Sequence, residues 1–177
     1  MATTNNNQNQ ADEHHMNTGK TVLQVKHNFT ISATEHTANQ TLSTIIEITN
    51  ATHRNGYSGV IKSITLRNTN STPAAKATAV YFISKQSIPA TAPAQTTDLV
   101  MIDADAAYIV GRVDFAAADW KTIDDIAIQT KVNIDIPFIN EDTTVSTTLY
   151  MFLVHTDSTH TYSASQKMYV DLFIEQN

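Results

Sequence analysis

Cysteine is missing from all 177 residues. Its absence excludes disulfide frameworks, thiol catalysis and cysteine-ligated zinc, and it fits folding in a reducing compartment. Glycine and proline occur four times each. So few glycines leave little room for a phosphate-cradling loop, and the chain holds no G-x-S-x-G, Gly-rich nucleotide loop or H-E-x-x-H. Charged residues make up only 16%, with Lys+Arg 11 against Asp+Glu 17 and a net charge of −6. No basic run occurs, and diffuse negative charge repels phosphate backbones, so no nucleic acid partner is expected. No apolar run approaches the roughly 20 residues that cross a bilayer, so no membrane partner is expected either. Met1 to Gln10 show no cationic region followed by an apolar core, so no signal peptide is expected.

What the chain does have is threonine, serine, asparagine and alanine in quantity. Thr and the β-branched aliphatics suit a pleated, half-buried surface. Residues 1–18 are a polar stretch, Asn5 to Gln10 followed by Asp12, Glu13, His14 and His15. With almost nothing apolar to bury, this segment reads as a disordered arm, either a free terminus or one that orders against a neighbouring subunit. Residues 19–177 read as one domain. A chain of this length buries roughly 70% of its unfolded surface and needs no metal or disulfide to fold.

Period-two alternation dominates the domain. Leu23, Val25, His27, Phe29, Ile31 and Ala33 share one parity, which predicts a half-buried strand or two strands joined by a bend. Ile46 and Ile48 mark a short strand over 44–49, and Asn55-Gly56 a turn. Ile64 and Leu66 mark a strand over 60–67, where Lys62 breaks the apolar face and predicts a bulge or an edge. Residues 68–75 read as a loop closed by Pro73. Residues 77–84 are apolar on both faces and predict a central strand. Residues 87–97, with Pro89 and Pro93, read as a surface connection. Further strands are expected over 99–102, over 108–115 interrupted at Gly111, over 126–136 ended by Pro137, over 149–154 and over 168–174. Residues 116–125 around Trp120 read as a loop or one helical turn. Eight or nine strands without a helical period predict an all-β sandwich or barrel.

Few side-chain groups suggest chemistry. His155, Asp157 and His160 fall within six residues. Three ligands with an ordered second shell would make a metal site, but a Thr/Ser/Asp-rich turn after a strand is the expected reading. Asp103 with Asp105, and Asp124 with Asp125, lack the glycine-containing frame of a calcium loop and read as solvated carboxylates. His27 lies on the buried parity of its strand and reads as a satisfied histidine. Trp120 and Phe115 form either a sugar-stacking platform or a plug at one end of the core, and the plug is expected. Asn28, Asn39, Asn50 and Asn70 each begin an N-x-[ST] triplet, read as chance matches in a Thr-rich chain. No catalytic, cofactor-binding or metal residue is assigned, and no cofactor is expected.

A cadence runs through the C-terminal third: Asp119-Trp120, then Val132-x-Ile134-x-Ile136-Pro137, then Leu149 to Val154, then Tyr162 and Met168-x-Val170-x-Leu172. Together with the polar arm and the cysteine-free β-domain, it resembles the jelly-roll head decoration, or cement, proteins of tailed bacteriophages. The resemblance implies a single jelly-roll-like β-sandwich without catalytic residues. It also implies a place on the outer capsid surface of the virion, a homo-oligomer with a trimer favoured, and the major capsid protein as partner. The competing expectation is a carbohydrate-binding or adhesin module, since jelly rolls also serve as lectins.

Overall fold

The computed structural model describes residues 21–53, 57–69, 76–86, 94–139 and 147–177. The arm, the Asn55-Gly56 turn, Pro73, Pro89, Pro93 and Asn70 lie outside the described residues. Eleven strands are described. They are β1 (Thr21–Thr30), β2 (Glu35–His36), β3 (Ile46–Ile48), β4 (Ser58–Thr69), β5 (Thr78–Ile83), β6 (Ile109–Phe115), β7 (Lys121–Ile123), β8 (Ile126–Ile139), β9 (Leu149–His155), β10 (His160–Thr161) and β11 (Lys167–Gln176). Two 3-10 turns, at Asp103–Tyr108 and Ala117–Asp119, are the only helical pieces among the described residues.

Two sheets face each other. One has the order β1-β11-β4-β8-β7, the other β3-β9-β5-β6, and β2 pairs with β10 separately. Setting aside β2, β7 and β10, the remaining eight strands pair in a nested way. The first pairs with the last, the second with the seventh, the third with the sixth and the fourth with the fifth. All these pairs are antiparallel. The fold is a jelly roll.

Alternation explains the core. On β11, Met168, Val170, Leu172 and Ile174 point inward, and on β4 Ile61, Ile64 and Leu66 join them. Val80, Phe82, Met151 and Leu153 meet them from the other sheet. The central, doubly apolar strand read from 77–84 is β5, which lies between β9 and β6. Its second apolar face, with that of β9, carries Ile83, Tyr150, Phe152 and Val154. The stretch leading into β6 folds back over this face, placing Leu99, Met101 and Tyr108 on it. Residues 99–102 are therefore not a strand. They are a covering segment that buries the outer side of a sheet.

Lys62 does mark a bulge. Ile61 pairs with Ile136 and Ser63 with Val132, so residues 133–135 of β8 oppose Lys62 alone. Asn133 and Asp135 take positive φ (54° and 44°), a conformation Asn and Asp tolerate better than most residues. The Lys62 ammonium pairs with the Asp135 carboxylate across the excursion.

This excursion reverses the faces of β8. Before it, Ala127 and Gln129 are buried, while Ile126 and Val132 are exposed. After it, Ile134 and Ile136 pack on the core and Phe138 is buried. The uniform alternation of Ile126, Ile128, Val132, Ile134 and Ile136 thus spans two opposite faces. Pro137 does not end the strand, which runs on to Ile139. Beyond Ile128 only β4 flanks β8 among the described residues, and proline is tolerated on such an edge. Gly111 is required by close approach. A Cβ there would stand 2.8 Å from Ile136 Cγ2 where β6 meets β8.

Candidate functional site

The two outer faces of the sandwich differ. That of the four-stranded sheet is covered by the segment just described. That of the five-stranded sheet is bare among the described residues, and register fixes what it displays. Gln24, Phe173, Ser63 and Val132 form one row. Val22, Glu175, Val60 and Pro137 form another. Across the middle, Arg67 donates from Nη2 to Asp171 at 2.7 Å and lies over the Tyr169 ring, and Thr65 and Thr130 hydroxyls meet at 2.9 Å.

Large apolar groups sit on this face and its β7–β8 edge. Ile123 is 68% exposed and pairs with the exposed Ile126 across the hairpin, and Val132 is 64% exposed. Phe173 and Val22 add to the strip. These large apolar groups lie in water outside a filled core, so this face is the candidate contact surface. The plain alternation hid it by placing Ile126 and Val132 with the core. Asn133 and Asp135 inside a strand, opposite an intruding Lys62, were the signal that could have revealed it.

A groove of about 480 Å³ opens at one end of the sandwich, between Val60, Tyr108, Val110, Pro137, Ile139 and Asn177. The chain enters β1 beside it, since Thr21 pairs with Gln176.

The residues singled out in the sequence fall as follows. His155 is fully buried; its Nε2 donates to the Ser158 carbonyl at 2.8 Å and its Nδ1 accepts from the Tyr162 hydroxyl at 3.1 Å. Asp157 accepts the Ser158 N–H at 2.7 Å and the Ala77 N–H at 3.3 Å, so it shapes the turn. These bonds hold its carboxyl below the usual range. His160 joins β10. His36, which the sequence reading did not single out, is fully buried and pairs in register with His160. Three imidazoles therefore gather around Tyr162. Among the described residues, no group of three or more His, Asp or Glu side chains is placed to hold a metal ion.

Asp105 is not a solvated carboxylate. It is buried and accepts the Ile102 N–H at 3.0 Å, which closes the first 3-10 turn. Asp103 is exposed. Asp124 and Asp125 are the two-residue loop of the β7–β8 hairpin, with Asp124 at positive φ. Trp120 is only 7% exposed and packs 6.5 Å from the buried Phe115 ring, which makes the pair a plug. His27 is half-buried on the inner parity of β1, and burial lowers its pKa. Asn28, Asn39 and Asn50 are exposed, and the latter two take positive φ in turns.

No family model and no curated protein sequence matches this chain. Solved structures with a similar fold are viral particles. One is the giant freshwater prawn (Macrobrachium rosenbergii) nodavirus semi-empty virus-like particle, at 8% identity over 88% of this chain and 93% of that chain, with a TM-score of 0.34. The Kashmir bee virus empty particle at acidic pH matches at 12% identity over 88% of each chain, with a TM-score of 0.33. The Mud crab tombus-like virus matches at 12% identity over 88% and 80%, with a TM-score of 0.33. The jelly-roll assignment above rests on strand order and needs none of them.

Proposed function

We propose that this chain is a non-enzymatic structural protein of a phage virion, one that binds the outer surface of an assembled capsid and bridges its major capsid subunits. The single observation that carries this reading is the bare outer face of the five-stranded sheet, with Ile123, Ile126, Val132 and Phe173 on display beside a closed core. A surface of this kind buries itself against a partner rather than a small substrate. Binding the finished shell better than free subunits stabilises the shell by mass action. A homo-oligomer, with a trimer favoured, multiplies weak contacts through effective concentration. Residues 1–18 would add a second contact; Thr21, the first described residue, pairs with Gln176 beside the groove that Asn177 lines.

The test is co-sedimentation with intact capsids together with capsid melting. The reading expects co-sedimentation and a raised capsid melting temperature, and full occupancy after deletion of residues 1–18 would remove the arm from it. The carbohydrate-binding alternative loses its clearest platform, because Trp120 and Phe115 are buried.

A further inference from the structure

The histidine corner has a chemistry that the contact surface does not use. It sits where β2, β10 and the end of β9 meet, away from the bare face. The hydrogen-bond partners assign its protonation. Nδ1 of His36 faces the Thr34 carbonyl at 2.9 Å. A carbonyl only accepts, so Nδ1 carries the proton and Nε2 keeps a lone pair. That Nε2 is buried without a partner, and so is Nε2 of His160. His155 is held by the Ser158 carbonyl on one side and by the Tyr162 hydroxyl on the other, so its neutral form satisfies both ring nitrogens.

The His36 ring is thus built to be neutral. A proton added to His36 would place an N–H⁺ in a buried site with no acceptor. The three rings also face one another. His36 lies 6.3 Å from His155 and edge-on to Tyr162 at 5.2 Å, and His160 lies edge-on to Tyr162 at 4.8 Å. Charging one ring therefore raises the cost of charging the next.

We propose that His36, His155, His160 and Tyr162 form an acid-opened latch, which when neutral holds the β2–β10 pair against the end of β9 and when protonated lets this corner open. Only two residue pairs, His36 with His160 and Glu35 with Thr161, join β2 to β10, while backbone bonds of Asn39 and Gln40 with His155 tie the chain after β2 to the end of β9. The five-stranded sheet is held by the long ladders of β1, β11, β4 and β8 and need not follow. The charged groups around the rings are Lys76 and Asp157 near His160, and Glu35 beside His36 on β2. Lys76 works against a charged His160, and Asp157 partly offsets it. Burial lowers the pKa of His36 and of His160; repulsion from His155 adds to both, from His160 at His36 and from Lys76 at His160. The latch belongs to the chain itself, whatever surface the chain binds.

Hydrogen exchange of the full chain, corrected for the intrinsic rate, tests this at about pH 7.5 and about pH 5. Exchange over residues 34–41 and 156–163 should rise at least about tenfold at the lower pH, while β4 and β11 keep their protection. Unchanged protection at the corner would overturn the latch, and so would an equal loss throughout the chain. Imidazole NMR of the unmodified protein gives a second reading, with His36 as the Nδ1–H form and His155 as the Nε2–H form. Titration of His36 and His160 at or above the free value of about 6.5 would also overturn it. His160→Gln, at the more accessible ring, should shrink the acid response. A full response in that variant would exclude His160 from the latch.

Discussion

The Tyr162 hydroxyl and Nδ1 of His155 lie 3.1 Å apart in a buried corner, and each fixes the other's protonation state. Burial also holds the Tyr162 phenol far above its usual range, so it stays a donor at any physiological pH. Tyr162→Phe leaves the ring packing but strands a buried nitrogen lone pair. The expected cost is about 1–3 kcal/mol, read by urea unfolding at neutral pH.

Stability should decline as the solution is acidified from neutrality. His27, His36 and His160 all have folded pKa values below the unfolded value of about 6.5. Above 6.5 neither state binds the proton. Below it the unfolded chain takes up protons that the folded chain refuses, so stability falls until the folded values are reached. A second loss follows below about pH 4, where the unfolded chain protonates Asp157 while the folded carboxylate, held down by its two backbone bonds, stays ionised. Thermal melts over this range should show two separate declines, and a flat profile between about pH 7 and pH 5 would contradict the first.

Much of the fold is legible in the sequence because exposure on one face forces a period of two. All eight principal strands lie within a few residues of the expected ranges, and β5 is central because both its faces are apolar. Three short strands escaped, since β2, β7 and β10 hold two or three residues each and carry no period. Residues 99–102 were misread because an apolar run that covers a sheet looks like one that joins it. β8 was misread on its face because Asn133 and Asp135 turn the chain over without breaking the alternation. The candidate surface was invisible for the same reason. His36 was missed because it reaches the other histidines only through pairing with a strand more than a hundred residues away.

Trp120 is the chain's single tryptophan, so its fluorescence reports one site. Packed against Phe115, it should be shielded from iodide or acrylamide in the folded protein and become quenchable on unfolding. Trp120→Ala should cost about 3–5 kcal/mol by opening the end of the core, measured by chemical denaturation.

Gly111→Ala tests the approach of β6 to β8. The new methyl would meet Ile136 Cγ2 at 2.8 Å, and overpacking of this kind costs about 1–3 kcal/mol. Ile136→Ala removes the clashing atom at its own cost in lost packing. The double variant should be more stable than the sum of the two losses predicts, and simple additivity in a thermal-melt cycle would mean that the two side chains do not meet.

Val132→Lys and Ile123→Lys place charge on the bare face. Both positions are largely in water, so stability should change by less than about 0.5 kcal/mol. Under the proposed function these variants should lose capsid co-sedimentation while melting like the parent. Retained binding would move the contact elsewhere on the molecule.

The three-residue bow opposite Lys62 also governs how copies of this chain can meet. A straight, apolar edge strand invites the same edge of another molecule, and such pairing repeats without end into fibres. At the β8 edge the strand is bent at Asn133 and Asp135 beside the ion pair of Lys62, so strand-to-strand growth from that edge is obstructed midway. Contacts between faces remain open, and those can close around a rotation axis into a finite assembly.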